Sequence, residues 1–270
     1  MSVVLITGCR SGIGLATALA FGRRGDRVYA TMRDPAHGER LREIIEQESL
    51  PIAIEGLDVT DEHQIERIVA TIVANEGRID VLVNNAGVPG VAAAIEEIDE
   101  SVARATFETN FWAPFRLIRA VLPHMRREGR GVIVNLSSFA ARFPGSGAFA
   151  IYALTKHLVS LLSESLQDEL TSTGVRVVAI EPGFFATEIY DSSKRPTIDP
   201  ASPYAAMVMA TDAAIAEGIA AGGDPSIVAA AIVAAVDDPS SPTRVLVGDD
   251  AVAAVNSFRQ AEWEAWVTAT

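Results

Sequence analysis

The stretch VVLITGCRSGIG, residues 3–14, decides the fold of this chain. It begins with five apolar or β-branched residues that predict a short buried strand, and a helical pattern starts where it ends. The turn between them holds glycines, which let the main chain approach a ligand phosphate while the helix N-terminus faces the phosphate charge. Tight strand-to-helix packing is the alternative use of such glycines. We predict a cofactor site formed by Gly8, Arg10, Ser11, Gly12, Ile13 and Gly14.

Outward from this turn, short β-branched runs alternate with longer helical segments. This alternation is typical of βαβ units that build a parallel sheet. We predict a Rossmann-type, doubly wound seven-stranded α/β sheet flanked by helices, in a single domain over residues 1–270. Ligands of such sheets bind beyond the carboxyl ends of the strands. The predicted strands are residues 3–7, 27–31, 53–57, 80–83, 132–136, 175–180 and 244–247.

The helical segments are predicted from apolar periodicity and from helix-ending residues. Asp61 is the expected N-cap of one of them. The stretch 188–223 contains three prolines and is predicted to be irregular. The predicted helices are residues 13–24, 39–48 and 61–75, one or two helices within 101–127, and 150–173.

Composition excludes several classes of function. The formal net charge is −13 and no basic block is present, so nucleic acid is not an expected partner. Cys9 is the only cysteine and the four histidines are scattered, which predicts neither a disulfide nor a metal site. The longest apolar run, residues 227–236, is far shorter than the roughly 20 residues that span a bilayer. With no export signal recognisable at the first residues, we expect a cytoplasmic protein without a membrane partner.

The end of the second strand bears on the choice between two nicotinamide cofactors. A site for NAD usually places an acidic residue about 20 residues beyond the glycine turn, where it binds the ribose hydroxyls. Met32 and Arg33 stand there instead. Arg33, with Arg10 in the turn, suits the 2′-phosphate of NADP. NADP is therefore predicted over NAD, and the alternative is that Asp34 takes the place of the acid.

Further motifs follow the later strands in order. They are Asp58-Val59, Asn84-Asn85-Ala86-Gly87, Ser137-Ser138 and Tyr152-Ala153-Leu154-Thr155-Lys156. Together with the glycine turn, this series resembles the classical short-chain dehydrogenase/reductase family over residues 2–187. Residues 7–14 and 28–34 also look like the 17β-hydroxysteroid dehydrogenase branch, which prefers NADP. The resemblance implies an oxidoreductase that interconverts a carbonyl and an alcohol.

The resemblance also implies roles for individual residues. In the family pattern, Asp58 binds the adenine ring and Val59 packs on it. Residues of the fourth strand end line the adenosine ribose and steady the central strand. Residues after the sixth strand hold the nicotinamide, and a helix asparagine completes the catalytic group through a water. The matching positions here are Asn84, Ala86 and Gly87 for the ribose, Pro182, Gly183 and Thr187 for the nicotinamide, and Asn110 for the asparagine.

Tyr152 and Lys156 are four residues apart, so both side chains lie on one face of a helix and can address a substrate oxygen and a cofactor ribose. A nearby ammonium favours the phenolate, so we expect Lys156 to lower the pKa of Tyr152. Tyr152 then exchanges a proton with the substrate oxygen, which Ser138 orients. Ser138 precedes Tyr152 by fourteen residues, whereas the family usually has thirteen. Ser138 is nevertheless preferred over Ser137 because it is second in the pair.

The segment from about 184 to 223 is expected to cover the substrate. Its apolar content predicts an apolar or amphipathic ketone, aldehyde or alcohol. The residues behind this prediction are Phe184, Phe185, Tyr190, Tyr204, Met207 and Met209, together with Phe143 and Phe149. The resemblance suggests a homodimer or homotetramer that pairs helices near 102–127 and 150–173.

Two other functions on a related fold would be expected to show different sequence features. A catalytically silent NADP-sensing binding protein on the same fold would be expected to lose the tyrosine, lysine or serine, and all three are present. An epimerase or dehydratase would be expected to show another glycine spacing and a larger C-terminal substrate domain, and neither feature occurs in this sequence.

Overall fold

A computed structural model of the chain describes residues 1–145, 147–190 and 198–269, without the side chains of residues 263 and 265–269. The strands form one parallel seven-stranded sheet with the order β3-β2-β1-β4-β5-β6-β7. This confirms the predicted fold class. The strands are β1 (Val3–Ile6), β2 (Arg27–Met32), β3 (Ile52–Gly56), β4 (Val81–Asn84), β5 (Gly131–Leu136), β6 (Val175–Pro182) and β7 (Arg244–Val247).

Helices connect the strands and cover both faces of the sheet. Asp61 accepts hydrogen bonds from the main-chain nitrogens of His63 and Gln64, which confirms its prediction as a helix cap. The helices are α1 (Gly12–Arg23), α2 (Glu39–Glu48), α3 (Glu62–Glu76), α4 (Glu100–Phe107), α5 (Ala113–Glu128), α6 (Ala150–Glu169), α7 (Ala205–Ala220), α8 (Pro225–Asp237) and α9 (Asp249–Ala269).

The core consists of two layers separated by the sheet. Side chains alternate between the faces of a strand, so Val4 and Ile6 join one hydrophobic cluster while Val3 and Leu5 join the other. The first cluster includes apolar residues of α1, α2 and α8, and the second includes those of α3, α5 and α6. Successive strands are added on one side of β1 up to β3 and on its other side from β4 onward. The connections on the two sides of this point therefore diverge, which opens a crevice at the carboxyl ends of β1 and β4.

The prediction that residues 188–223 are irregular is wrong for its second half, where α7 runs from Ala205 to Ala220. The three prolines precede this helix, and its composition is dominated by alanine, the best helix former. Residues 191–197, in the same predicted segment, lie outside the described part of the chain. The helix predicted within 101–127 is divided by a π-helical turn at Glu108–Trp112. Within the described residues, no helix is both long and apolar enough to cross a membrane.

Candidate active site

A cleft of about 1010 Å³ lies beyond the carboxyl ends of the central strands. The glycine turn and the end of β2 line one part of it, and the ends of β4, β5 and β6 line the middle. The first residues of α6 and parts of α7 line the rest. The cleft therefore lies at the edge where a doubly wound sheet binds its ligands.

The glycines of the turn allow close packing. A Cβ on Gly14 would lie 2.2 Å from the carbonyl oxygen of Gly8, and a Cβ on Gly8, whose φ is +73°, would lie 2.9 Å from the Cα of Ala86. Gly8 and Gly14 thus allow the tight strand-to-helix packing that was the alternative role for these glycines. Gly12 has a φ of +56° and faces Thr187, whose Cγ2 would be 3.1 Å from an added Cβ.

The N-terminus of α1 opens into the same cleft. Ser11 is its N-cap but makes no side-chain capping hydrogen bond, and the first turn contains no acidic residue. The first N–H groups of the helix therefore carry no capping side chain, and the helix dipole favours an anion there. Arg10 and Arg33 also line the cleft. These features fit the diphosphate of a dinucleotide cofactor.

Ion pairs hold the two arginines at the cleft wall. Arg33 Nε lies 3.4 Å from Asp58 Oδ2, and Arg10 Nη2 lies 3.5 Å from Glu188 Oε2. Burial opposes ionisation of Asp58, but hydrogen bonds from Thr60 and the charge of Arg33 outweigh it and lower its pKa. All four paired groups are partly exposed, so the pairs are weak enough to rearrange around a ligand.

Asp34, the alternative ribose ligand, caps a 3₁₀ turn. Its Oδ1 accepts a hydrogen bond from the main-chain nitrogen of Ala36 at 2.9 Å. Its Oδ2 lies 4.0 Å from His37 Nδ1. Asp34 lines the cleft beside Arg33, but one of its oxygens is already committed to the turn.

Asn84, at the end of β4, was predicted both to line the ribose and to steady the central strand, and only the second part agrees with the structure. Asn84 does not line the cleft but is buried in the sheet, where its Nδ2 donates to Asn135 Oδ1 at 2.8 Å. Neighbouring residues of a strand face opposite sides, so Asn85 lines the cleft instead. Asn85 Nδ2 donates to the carbonyl oxygen of Thr7 at 2.7 Å. Ala86 and Gly87 line the cleft as expected, and so do Val59, Pro182, Gly183 and Thr187.

Tyr152 lies in the first turn of α6, beside Phe149, whose ring centre is 4.6 Å from its own. Burial raises the pKa of Tyr152 to about 12, although hydrogen bonding with the Ser138 hydroxyl lowers it. We expected a lowered pKa because of Lys156, and the structure corrects this. Removal of the phenol from water outweighs the favourable contact, because the charged form loses most from desolvation.

Lys156 is 6% exposed, and its Nζ donates to the carbonyl oxygen of Leu136 at 2.8 Å. Burial lowers the pKa of Lys156 to about 8. Its ammonium therefore stays largely protonated at pH 7, close to the point at which it releases its proton.

The two serines after β5 have different surroundings. Ser137 Oγ donates to the carbonyl oxygen of Lys156 at 2.9 Å and lies 2.8 Å from Ser160 Oγ. Ser138 interacts with the phenol of Tyr152 and accepts a hydrogen bond from the main-chain nitrogen of Ala140 at 3.2 Å. Ser138 is therefore the serine placed beside the tyrosine, while Ser137 joins β5 to α6.

Asn110 is buried in the π-helical turn. Its Oδ1 accepts from the nitrogen of Val88 at 2.8 Å, while its Nδ2 donates to the oxygen of Val88 at 2.9 Å and to Thr155 Oγ1 at 3.1 Å. A Cβ on Gly87 would lie 3.3 Å from Asn110 Oδ1 and 3.7 Å from Lys156 Nζ, so the three residues are neighbours. The amide of Asn110 thus ties the loop after β4 to α6.

Part of the cleft lining is apolar, as predicted, but not all of the predicted residues contribute to it. Phe143, Phe149, Phe184, Phe185 and Tyr190 line the cleft. Tyr204 and Met207 instead pack on a separate cluster with Ala92, Ala148 and Val208, and Met209 is exposed.

Comparison with known proteins agrees with this geometry. The family model described as short chain dehydrogenase matches residues 2–197. A short-chain dehydrogenase from Streptomyces avermitilis is 37% identical with a TM-score of 0.83, and the match covers 100% of this chain and 98% of that one. A metagenomic short-chain oxidoreductase in complex with NADP is 26% identical with a TM-score of 0.72, covering 91% and 96%. A Burkholderia phymatum structure in complex with NAD shares the fold at 24% identity and a TM-score of 0.83, covering 94% and 92%.

Proposed function

The chain belongs to the short-chain dehydrogenase family and is an oxidoreductase that acts on CH–OH groups with a nicotinamide nucleotide; from this premise we propose that it is NADP(H)-dependent and interconverts an apolar or amphipathic carbonyl compound with its alcohol. The observation that carries the proposal is the meeting of Ser138, Tyr152 and Lys156 in the cleft that also holds the glycine turn. When bound, the cofactor supplies or accepts the hydride.

The preference for NADP rests on charge at the cofactor end of the cleft. Arg33 and Arg10 both line it, and a guanidinium binds a phosphate with paired hydrogen bonds. Asp58 Oδ2 now lies near Arg33, but a 2′-phosphate carries more charge than one carboxylate and competes for the same donor. The residues that would hold the rest of the cofactor are Gly8, Ser11, Gly12, Ile13, Gly14, Asp58, Val59, Ala86, Gly87, Tyr152, Lys156, Pro182, Gly183 and Thr187.

In this proposal Tyr152 acts as the acid in carbonyl reduction. With a pKa of about 12 its phenol is protonated at neutral pH, and it donates that proton to the carbonyl oxygen of the substrate. Ser138 donates a hydrogen bond to the same oxygen and orients it. Lys156, still largely charged at pH 7, binds the cofactor ribose. The reductive direction is the one for which Tyr152 already has the required proton.

Asn110 is assigned a supporting part in the catalytic group. Both of its side-chain N–H groups are already used, one by Val88 and one by Thr155. A bound water through which Asn110 acts must therefore contact an atom of Asn110 other than these two N–H groups. The Asn110 side chain bonds Val88 and Thr155, the sequence neighbours of Gly87 and Lys156.

The substrate class follows from the apolar end of the cleft. Phe143, Phe149 and Phe184 line it, and clefts of this kind gain affinity mainly by burying apolar surface. The segment from about 184 to 223 is assigned to cover this end. A cytoplasmic location stays a prediction.

The proposal includes a homodimer or homotetramer. Trp112, Leu154 and Leu161 are 44%, 50% and 55% exposed on α6 and the π-helical turn before α5. Large apolar side chains so exposed on neighbouring helices suit a contact with a second copy of the chain.

A panel of acetophenone, cyclohexanone and decanal, each with NADPH and NADH, tests the proposed reaction. The expected result is NADPH oxidation by the wild type and a rate lower by a factor of about 10² to 10⁴ in Tyr152→Phe. Tyr29→Phe is the matched control, because Tyr29 is a buried tyrosine whose hydroxyl donates to Glu76 outside the cleft. Equal rates in both variants remove Tyr152 from the mechanism, and cofactor binding without turnover favours the silent binding protein.

A further inference from the structure

Glu181 is a fully buried carboxylate near the end of β6, directly before Pro182. Its Oε1 accepts from Arg244 Nε at 2.6 Å, and its Oε2 accepts from Arg142 Nε. Burying an ionised carboxylate costs several kcal/mol even with good partners, and an apolar replacement is often no less stable. The presence of Glu181 is therefore better explained by the geometry that its contacts impose than by a gain in the stability of the fold.

The two arginines join Glu181 to the turn that follows Ser138. Arg142 is the last residue of the 3₁₀ turn Phe139–Arg142, whose N-cap is Ser138. Arg244 Nη2 donates to the carbonyl oxygen of Ala141, in the same turn, at 3.0 Å. The carboxylate thus has a fixed position relative to the loop that carries Ser138.

Glu181 also contacts α6 directly, through Ser160. Ser160 Oγ lies 2.7 Å from Glu181 Oε1 and 2.8 Å from Ser137 Oγ, and its single hydrogen serves one of these two acceptors at a time. Ser137 Oγ donates its own hydrogen to the carbonyl oxygen of Lys156 at 2.9 Å. Ser137 and Ser160 are both buried, so water does not compete for these contacts.

We propose that Glu181 is a positioning residue for the reaction: through Ser160 on α6 and its two arginines it fixes the turn after β5 against α6, and so sets Ser138 relative to Tyr152 and Lys156. The inference rests on the proposed function, since it assigns Glu181 to the geometry of that same site. Glu181 itself contacts neither substrate nor cofactor. Its effect is on the alignment of groups that do, where small displacements cost large factors in rate.

The test removes one contact and leaves the ion pairs in place. Glu181→Gln would leave two guanidinium groups against a neutral side chain and is expected to fold poorly. Ser160→Ala instead removes only the hydroxyl that contacts Glu181 and Ser137. Ser163→Ala is the matched control, because Ser163 is equally buried on α6 but bonds Asn135, inside β5 rather than in the turn after it, and the carbonyl oxygen of Val159.

One readout needs no substrate. The chain has two lysines, Lys156 and Lys194, so in a Lys194→Arg background a side-chain-labelled lysine gives a single NMR signal from Lys156. In Ser160→Ala the contact between α6 and the turn after β5 loosens and admits water, so the pKa of Lys156 is expected to rise by about 0.5 or more toward its ordinary value. In Ser163→Ala it is expected to stay at the wild-type value.

The second readout is the kcat for whichever of acetophenone, cyclohexanone and decanal is reduced fastest. We expect Ser160→Ala to lower kcat about tenfold without changing the KM for NADPH, and Ser163→Ala to leave it near wild type. The proposal is overturned if both variants give the same pKa of Lys156, or if that pKa changes while kcat does not. If none of the three compounds is reduced, the proposed function is in question, and the pKa of Lys156 alone decides the role of Glu181.

Discussion

Lys156 Nζ lies 5.6 Å from the centre of the Tyr152 ring, one helical turn away on α6. The ammonium donates to the carbonyl oxygen of Leu136, and burial dominates the pKa of both groups. In this arrangement the lysine has a lowered pKa and the tyrosine a raised one. The pair is therefore set up to hold a phenol proton at neutral pH and to lose the lysine charge first as pH rises.

The pKa of Lys156 provides the first prediction. Burial places it at about 8, well below the 10.5 of an ordinary lysine. A Lys194→Arg protein with isotope-labelled lysine isolates the signal of Lys156, and its shift against pH gives the value directly. Lys156→Met in the same background is the control, since the signal must vanish. A midpoint near 10.5 would show that the ammonium is hydrated rather than buried.

The two serines provide the second prediction. Ser138 contacts the Tyr152 phenol, so Ser138→Ala is expected to lower kcat by a factor of about 10². Ser137→Ala removes a hydrogen bond to the Lys156 carbonyl and should cost stability, by about 1 kcal/mol, with a smaller fall in kcat. Steady-state kinetics and thermal unfolding of both variants separate the two roles. The assignment is wrong if Ser137→Ala has the larger effect on kcat.

Much of the fold was predictable because strands and helices have different apolar periods. Residues 39–48 and 244–247 were predicted with the bounds that the structure shows. The helix α7 was missed because its sequence is apolar or alanine on almost every side, which leaves no polar stripe to reveal the helical period. Prolines in the preceding residues also favoured an irregular interpretation.

The positions of the site residues were predictable where a motif fixes them. The pKa values and the facing of side chains were less predictable, because they depend on burial in the folded chain. The order of motifs brought Tyr152, Lys156 and Ser138 together correctly, but their spacing holds no information about desolvation, so the direction of the Tyr152 shift was wrong. Asn85 was missed because a pair of asparagines does not reveal which one faces the cleft. Glu181 did leave a signal, since it is an acid directly after the apolar run 177–180 of β6.

Arg33 provides the third prediction, on the cofactor. Arg33→Ala removes a charged donor from the 2′-phosphate, so the Kd for NADPH should rise by about 10- to 100-fold while the Kd for NADH changes little. Fluorescence titration with both nucleotides measures the two values. Arg67→Ala is the control, as Arg67 is an exposed arginine on α3 outside the cleft. Tighter binding of NADH by the wild type would contradict the proposed preference.

The exposed apolar side chains on α6 provide the fourth prediction. If they form the contact with a second copy, Leu161→Glu places a charge in that contact and should dissociate the oligomer. Sedimentation velocity gives the mass of the wild type and the variant. Val252→Glu, at a 43% exposed residue of α9, is the control. A monomeric wild type, or an oligomer that survives Leu161→Glu, removes this surface from the interface.

The pH dependence of reduction follows from the two pKa values taken together. Reduction requires Tyr152 in its protonated form, which persists up to about pH 12, and Lys156 in its charged form, which is lost above about pH 8. Both conditions hold at low pH, so kcat/KM for NADPH, which reports the groups of the cofactor-free enzyme, should be flat below about pH 7 and fall as one proton is lost through about pH 8. The fall belongs to Lys156, because the raised pKa of the tyrosine places its own titration far higher. Measuring kcat/KM for NADPH from pH 6 to 10 checks this, and Lys156→Arg, which keeps its charge over the whole range, should not show the fall even if its rate is low. A wild-type profile that stays flat to pH 10 would contradict a need for the charge of Lys156 in cofactor binding or hydride transfer.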